Sequence, residues 1–207
     1  MHACLKLFSV SNMRLSALVC MTVMVVVAGM AVTARADVVD DAELWFNDIS
    51  TMKANFIQVA SDGSSASGEI HLRRPYQMKI IYDLEEPLIL QTTRIWLHVD
   101  RPEEQTLTSY PISETPLSLL LKKQVRLRSK DFSTRTHTAN GVISIVLSKE
   151  TGEAAGELTL EFTEQPFELR KWTIRDAADI STTVTLQNMR FGHSYENKFF
   201  ATPDYTN

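Results

Sequence analysis

The sequence predicts a mainly β protein, an unclosed antiparallel barrel of about 10–11 strands that encloses a hydrophobic cavity beneath two short helices. Apolar and polar residues alternate with a period of two along most of the chain, which is typical of strands with one buried face. Two segments show helical character instead. Because two short helices cover little of so wide a sheet, we expect its apolar face to leave an unfilled cavity.

Residues 37–50 are expected to form an amphipathic helix. Acidic residues stand at its start, where they complement the helix dipole. The apolar residues at helical spacings are Val39, Leu44, Trp45 and Ile49. Residues 52–60 follow as the first strand, and a loop rich in serine at 61–67 separates that strand from the next segment.

The central stretch, residues 68–100, reads as four short extended segments joined by tight turns. Its alternating apolar residues include many β-branched and aromatic side chains, the pattern of an antiparallel meander. The alternating residues of the second segment are Tyr76, Met78, Ile80 and Tyr82. The alternation does not decide whether Trp96 or Leu97 points inward. A further short strand is expected at residues 105–109.

Residues 112–123 interrupt the strands with a short, very apolar helix. Thr115 is expected to cap this helix, and Pro116 suits its first position because proline lacks only a backbone donor that is unpaired there anyway. Four leucines at 117 and 119–121 follow, and two lysines end the segment, where positive charge favours a helix C-terminus.

Strands return after these lysines, and no repeat or linker indicates a second domain. The predicted strands are residues 125–128, 134–138, 142–148, 157–163, 168–176 and 181–188. Gly- or Pro-containing turns lie at Asn140-Gly141, Thr151-Gly152 and Gln165-Pro166.

Residues 1–36 are predicted to be a signal peptide. Basic residues precede an uncharged apolar run at 15–33, and Ala34-Arg35-Ala36 offers the small residues of a cleavage site. Cleavage is expected after Ala36, which leaves 37–207 as one exported domain. The competing interpretation is an uncleaved anchor, since the run approaches the roughly 20 residues that span a bilayer. The start codon is either Met1 or Met13.

Composition excludes several kinds of function. Both cysteines, Cys4 and Cys20, precede residue 37, so the exported domain has no disulfide and no thiol chemistry. Three of the 21 Lys and Arg and none of the 25 Asp and Glu also precede it, which leaves 18 basic against 25 acidic residues. This acidic balance argues against nucleic-acid binding. No metal-ligand spacing, nucleophile elbow or phosphate loop is present, so we expect neither a cofactor nor catalysis.

Several short motifs, in order along the chain, resemble the LolA family of periplasmic lipoprotein carriers. They are Phe56-x-Gln58, Gly68-Glu-Ile-x-Leu-x-Arg74-Pro75, Tyr82-Asp83, Thr115-Pro116 with Leu119-Leu120-Leu121, Leu158-x-Leu-x-Phe162, Leu169, Ile174-x-Asp176, Thr183-x-x-Leu186, Phe199 and Pro203. The resemblance covers nearly all of residues 37–207. It implies an unclosed β-barrel with an α-helical lid over a cavity for lipoprotein acyl chains.

The resemblance also implies partners and site residues. An inner-membrane ABC transporter complex would donate the acylated lipoprotein, an outer-membrane acceptor would receive it, and the carrier would work as a periplasmic monomer. The family's Arg-Pro arginine, which holds the lid closed through backbone hydrogen bonds, corresponds to Arg74. The residues expected to contact ligand are Arg74, Phe56, Tyr76, Met78, Ile80, Tyr82, Trp96, Leu119, Leu120 and Phe162.

Other functions remain open at this level. LolA-like domains also serve as sensors of mislocalised lipoproteins, and the same fold would suit a carrier of another amphiphile, such as a lipid or glycolipid. A hydrolase of periplasmic amphiphiles is a third hypothesis, which a Ser–His–Asp arrangement inside the cavity would favour.

Overall fold

A computed structural model describes residues 37–152 and 155–205. The predicted signal peptide, its cleavage site and the alternative membrane anchor all lie outside the described residues. Within those ranges, no helix combines the length and the hydropathy that crossing a bilayer would require.

Eleven antiparallel strands make one sheet in the described part of the chain. They are β1 Thr51–Ala60, β2 Ser65–Arg73, β3 Gln77–Tyr82, β4 Ile89–Thr92, β5 Trp96–Arg101, β6 Thr106–Pro111, β7 Ser133–Ala139, β8 Val142–Lys149, β9 Gly156–Thr163, β10 Glu168–Asp176 and β11 Ser181–Phe191. The order across the sheet is β6-β5-β4-β3-β2-β1-β11-β10-β9-β8-β7. Strands β6 and β7 are therefore free edges, and the predicted unclosed antiparallel sheet is confirmed.

Two α-helices accompany the sheet in the part of the chain that the structure describes. Helix α1, Val38–Asp48, starts at Asp37, whose carboxylate accepts a hydrogen bond from the Val39 amide at 2.9 Å. Such a cap satisfies one of the free amides at a helix start. Helix α2 is a single turn, Ser118–Leu121, and short 3-10 helices lie at Ile112–Glu114 and Asn197–Phe200.

The period-two alternation places one row of apolar side chains across the inner face of the sheet. Val184, Trp172, Leu160 and Ile145 pair in register from β11 to β8, and all four are buried. Helix α1 packs on this face through edge-to-face contacts of Trp45 and Phe46 with Phe162, whose ring centroids lie 5.6 and 6.0 Å away. The core thus lies between α1 and the inner face.

The prediction of a strand at 125–128 is wrong, although alternate residues of this segment are buried as a strand pattern would require. Val125 and Leu127 are fully buried, but their amides bond to side chains of α1 instead of a neighbouring strand. Asn47 Oδ1 accepts from the Val125 amide at 2.8 Å, and Glu43 Oε1 accepts from the Leu127 amide at 2.7 Å. The segment is an extended chain held against a helix.

The predicted cap of the second helix is also wrong. Thr115 lies in the turn before α2, and its hydroxyl donates to the Ile112 carbonyl at 3.2 Å rather than accepting from a helix amide. Lys122 follows the helix as its C-terminal cap. The helix is shorter than the sequence predicts because residues 115–117 form overlapping turns, in which Ser118 donates to Thr115.

The segment after β11 covers part of the outer face. The Tyr195 hydroxyl donates to the Met52 carbonyl at 3.1 Å, Lys79 Nζ donates to the Phe199 carbonyl at 3.1 Å, and Gln91 Nε2 donates to the Phe200 carbonyl at 2.6 Å. These contacts bury His71, which is 5% exposed, beneath aromatic rings.

Candidate functional site

A small apolar cavity of about 50 Å³ lies between the inner face of the sheet and the two helices. Helix α1 and the residues after it contribute Trp45, Phe46 and Ile49, and the α2 region contributes Leu117, Leu120 and Leu121. The sheet contributes Met52, Ile70, Leu72, Met78, Trp172 and Leu186. Arg74 joins this otherwise apolar lining from the end of β2. The cavity is far smaller than the roughly 300–1,000 Å³ usual for small-molecule sites, and we call it the closed cavity because it has no room for a ligand.

The Arg74 guanidinium links the two sides of the cover. Its Nη1 donates to the Phe46 carbonyl near the end of α1, and its Nη2 donates to the Lys122 carbonyl just after α2. The same Nη2 lies 3.4 Å from the Lys123 carbonyl and 3.5 Å from Asn47 Oδ1. A planar group with several donors can span these acceptors at once, which a point charge on a lysine cannot do.

Backbone hydrogen bonds hold the turn at residues 74–76 against α2 and against the chain that follows α1. The Tyr76 amide donates to the Leu121 carbonyl at 2.8 Å, and the Arg74 amide donates to the Ser50 carbonyl at 2.8 Å. Burial lowers the pKa of Arg74 from its usual value, but a guanidinium remains charged in proteins. Arg74 Nε is buried without a hydrogen-bond partner. The carbonyls at a helix C-terminus carry partial negative charge, which favours a cation at this position.

A larger cleft of about 580 Å³ opens beside α2. Leu121 lines both this cleft and the closed cavity, so the two spaces are separated by the α2 region. Its lining combines polar and basic residues with a group of leucines, most of them buried, that we call its floor.

Residues 47–203 match the family described as outer membrane lipoprotein carrier protein LolA. The chain belongs to the LolA family. The resemblance seen in the sequence motifs is thereby confirmed.

Individual relatives are distant. The outer-membrane lipoprotein carrier protein of Methylobacillus flagellatus is 24% identical over 190 residues, which cover 86% of this chain and 90% of that protein. A LolA superfamily protein from Nitrosomonas europaea aligns at 8% identity with a TM-score of 0.48, over 81% of this chain and 99% of the other. An uncharacterized conserved protein from Thermus thermophilus aligns at 7% identity with a TM-score of 0.50, over 80% and 92%. The likeness to the Thermus protein shows the fold alone.

Half of the residues expected from the LolA resemblance to contact ligand lie at one of the two spaces. Arg74, Met78 and Leu120 line the closed cavity. Tyr76 and Leu119 line the open cleft. Tyr76 precedes β3 rather than beginning it, and its backbone has a φ of 71°.

The other five line neither space. Phe56 and Tyr82 pack edge to face with ring centroids 5.3 Å apart, and burial raises the pKa of Tyr82, whose hydroxyl donates to Gln58 at 3.0 Å. Ile80 and Phe162 are buried in the core. Trp96 is 42% exposed, and the register gives the inward position to Leu97, opposite Thr92.

The sequence analysis did not predict that helix α1 contributes to the closed cavity. Trp45 and Ile49 stand out in the sequence because they recur at helical spacing, and both line the cavity. That spacing marks the apolar face of the helix without indicating whether the face meets packed core or empty space.

Proposed function

We propose that this LolA-family protein is a periplasmic carrier. It would take the acyl chains of a lipoprotein between its sheet and helices and move the lipoprotein from an inner-membrane ABC transporter complex to an outer-membrane acceptor. The proposal includes export by residues 1–36, cleavage after Ala36, and a monomeric carrier formed by residues 37–207. The family's description as outer membrane lipoprotein carriers and the printed name of the Methylobacillus relative support it.

One observation carries the proposal: Arg74 ties the end of α1 to the chain after α2 directly over an apolar cavity. A cavity of about 50 Å³ cannot admit an acyl chain, so loading requires the cover to move. The α2 side of the cover is held by Arg74, by the Tyr76 amide and by the buried side chains of Leu120 and Leu121, none of which belongs to the hydrogen-bond ladder of the sheet, so its release would leave the sheet folded.

The energies are consistent with exchange of the cover for cargo. Two hydrogen bonds from a charged donor contribute roughly 1.5–3 kcal/mol each. Burying one methylene contributes about 0.8 kcal/mol, so on the order of four to eight buried methylenes offset their loss. A long acyl chain supplies more methylenes than that, and it requires only an apolar lining. Binding by burial, without catalysis, suits the family's carrier role.

The test is native mass spectrometry of protein purified after export and mixed with detergent-solubilised triacylated lipoprotein. Wild type and Arg74→Leu should both form a one-to-one complex, and wild type should release cargo to acceptor membranes more readily. Leucine cannot span the Phe46 and Lys122 carbonyls, so the empty cover loses the contact that favours reclosing. Arg170→Leu is the matched control, because Arg170 pairs with Glu168 at the surface.

Two outcomes would count against this function. If no lipoprotein complex forms while free lipids copurify with the protein, the fold serves another amphiphile. If Arg74→Leu and Arg170→Leu release cargo equally fast, Arg74 does not hold the cover.

A further inference from the structure

The open cleft beside α2 differs in chemistry from the closed cavity. Its floor is apolar and is built by side chains of the α2 region and of strands β8 and β9, among them Leu119, Leu121, Leu147 and Leu158. At about 580 Å³, it falls within the size range of sites that hold small ligands. The cleft is therefore large enough for a ligand while the closed cavity is not.

The lining of the cleft is strongly basic. Arg94, Lys122, Lys123 and Lys149 contribute to it, against a single carboxylate from Asp131. The exported domain as a whole has the opposite balance, with 18 basic and 25 acidic residues. A local excess of positive charge on an acidic protein concentrates anions at that place.

Three of these basic side chains are available to a ligand. Within the described ranges, Arg94, Lys122 and Lys123 form no ion pair, and all three residues are exposed. The Arg94 guanidinium lies 5.7 Å from the centroid of the Tyr76 ring, which also lines the cleft. The two lysines use only their backbone carbonyls in contacts with Arg74.

An apolar floor beside a basic rim, by which we mean the exposed side chains of Arg94, Lys122 and Lys123, matches an amphiphile that has one acyl chain and an anionic headgroup. We propose that the cleft binds a single-chain anionic phospholipid, with the chain on the floor and the phosphate near Arg94, Lys122 and Lys123. This ligand and this place go beyond the proposed carrying of lipoprotein acyl chains in the closed cavity. Because each buried methylene of the acyl chain contributes about 0.8 kcal/mol, we expect about fourfold tighter binding for each methylene added. Because of the basic rim, we expect a preference for anionic headgroups that weakens as the salt concentration rises.

The experiment measures binding of lysophosphatidylglycerol and of lysophosphatidylcholine with the same acyl chain to the exported protein by isothermal titration calorimetry, below the critical micelle concentration. We expect wild type to bind the anionic lipid at least tenfold more tightly at about 50 mM salt, where screening is weak, and to lose most of that preference at about 0.5 M. Lys122→Gln with Lys123→Gln should abolish the preference at low salt. The matched control is Arg126→Gln with Lys130→Gln, which removes the same charge from exposed positions outside the cleft lining.

Three results would overturn the inference: equal affinity for the two lipids in wild type, a preference that persists in Lys122→Gln with Lys123→Gln, or a preference lost equally in the control. Competition by millimolar inorganic phosphate would also overturn it, because it would indicate a bare anion site. The lipoprotein-binding assay with wild type is scored separately. A protein that takes lipoprotein but does not distinguish the two lipids therefore refutes this inference and leaves the proposed carrier function standing.

Discussion

Asn47 holds the extended segment after α2 against α1. The structure allows the loss in free energy of unfolding on truncation of its side chain to be estimated. Asn47 Nδ2 donates to the Val125 carbonyl at 3.0 Å, and Asn47 Oδ1 accepts from the Val125 amide at 2.8 Å. Val125 is fully buried, so both of its backbone groups depend on this one side chain. An unsatisfied buried polar group costs about 1–3 kcal/mol. Because Asn47 is exposed, we expect water to reach the Val125 amide and carbonyl after truncation, which keeps the cost for each group near the lower end of that range.

Asn47→Ala should therefore lower the free energy of unfolding by about 2–3 kcal/mol. Urea denaturation followed by tryptophan fluorescence measures this change, since Trp45 and Trp172 lie in the core around the cavity. The control is Asn55→Ala at an exposed position of β1, which should stay within about 0.5 kcal/mol of wild type. If Asn47→Ala costs no more than Asn55→Ala, the bonds to Val125 do not stabilise the segment.

Three further substitutions test the acceptor on α1, the close approach of β2 to β3, and the burial of His71. Glu43→Ala should lower the free energy of unfolding by about 1–2 kcal/mol in urea because the Leu127 amide loses its acceptor, whereas Glu43→Gln should nearly restore it. Gly68→Ala should cost about 2–3 kcal/mol, because its Cβ would lie 2.1 Å from the Ile81 carbonyl oxygen. Burial lowers the pKa of His71 below its usual 6.5, so the unfolded chain binds more protons below that pH. The free energy of unfolding of wild type should therefore decrease as the pH falls below 6.5, and that of His71→Phe should decrease less. Urea denaturation at each pH measures both.

The glycine and histidine predictions have matched controls. Gly63→Ala meets no atom within 4 Å but sits at a φ of +85°, so it should cost only about 1 kcal/mol. A cost for Gly68→Ala no larger than this would contradict the steric argument. His71 faces Glu69 and Lys53, and its Nε2 lies 3.3 Å from Glu69 Oε2 without making a hydrogen bond. The control is His137→Phe on β7, and an identical pH dependence in both variants would refute the role of His71 burial.

The strands could be predicted because alternation is a property of neighbouring residues. Strands β8 and β9 were expected at 142–148 and 157–163, and they span Val142–Lys149 and Gly156–Thr163. The prediction failed at 125–128. The alternating pattern there correctly indicates which residues are buried, but the segment is not a strand. What the sequence does not show is that the backbone partners there come from a helix about 80 residues earlier in the chain. A strand and an extended segment held by side chains have the same local pattern.

The site could be predicted only in part because the inner face is wider than the space beneath the helices. Phe162 belongs to that face but lies under Trp45 and Phe46 of α1, and it therefore packs instead of lining a cavity. Met78, on the same face, lies where the helices leave a gap. Arg74 was singled out by resemblance, yet the identity of its acceptors depends on where the ends of α1 and α2 meet.

The two helices are held unequally, and this indicates which part of the cover moves in the proposed carrier. Helix α1 is fixed by aromatic contacts with Phe162 and by side-chain bonds to the 125–127 backbone. Helix α2 is one turn long and is held by the burial of Leu120 and Leu121 and by hydrogen bonds from Arg74 and the Tyr76 amide. Release of the Lys122 carbonyl would leave Arg74 still attached to α1 through Phe46, ready to bind again. Leu121 lines both the closed cavity and the open cleft. In the proposed carrier we therefore expect displacement of Leu121 to join the two spaces and to make room for an acyl chain.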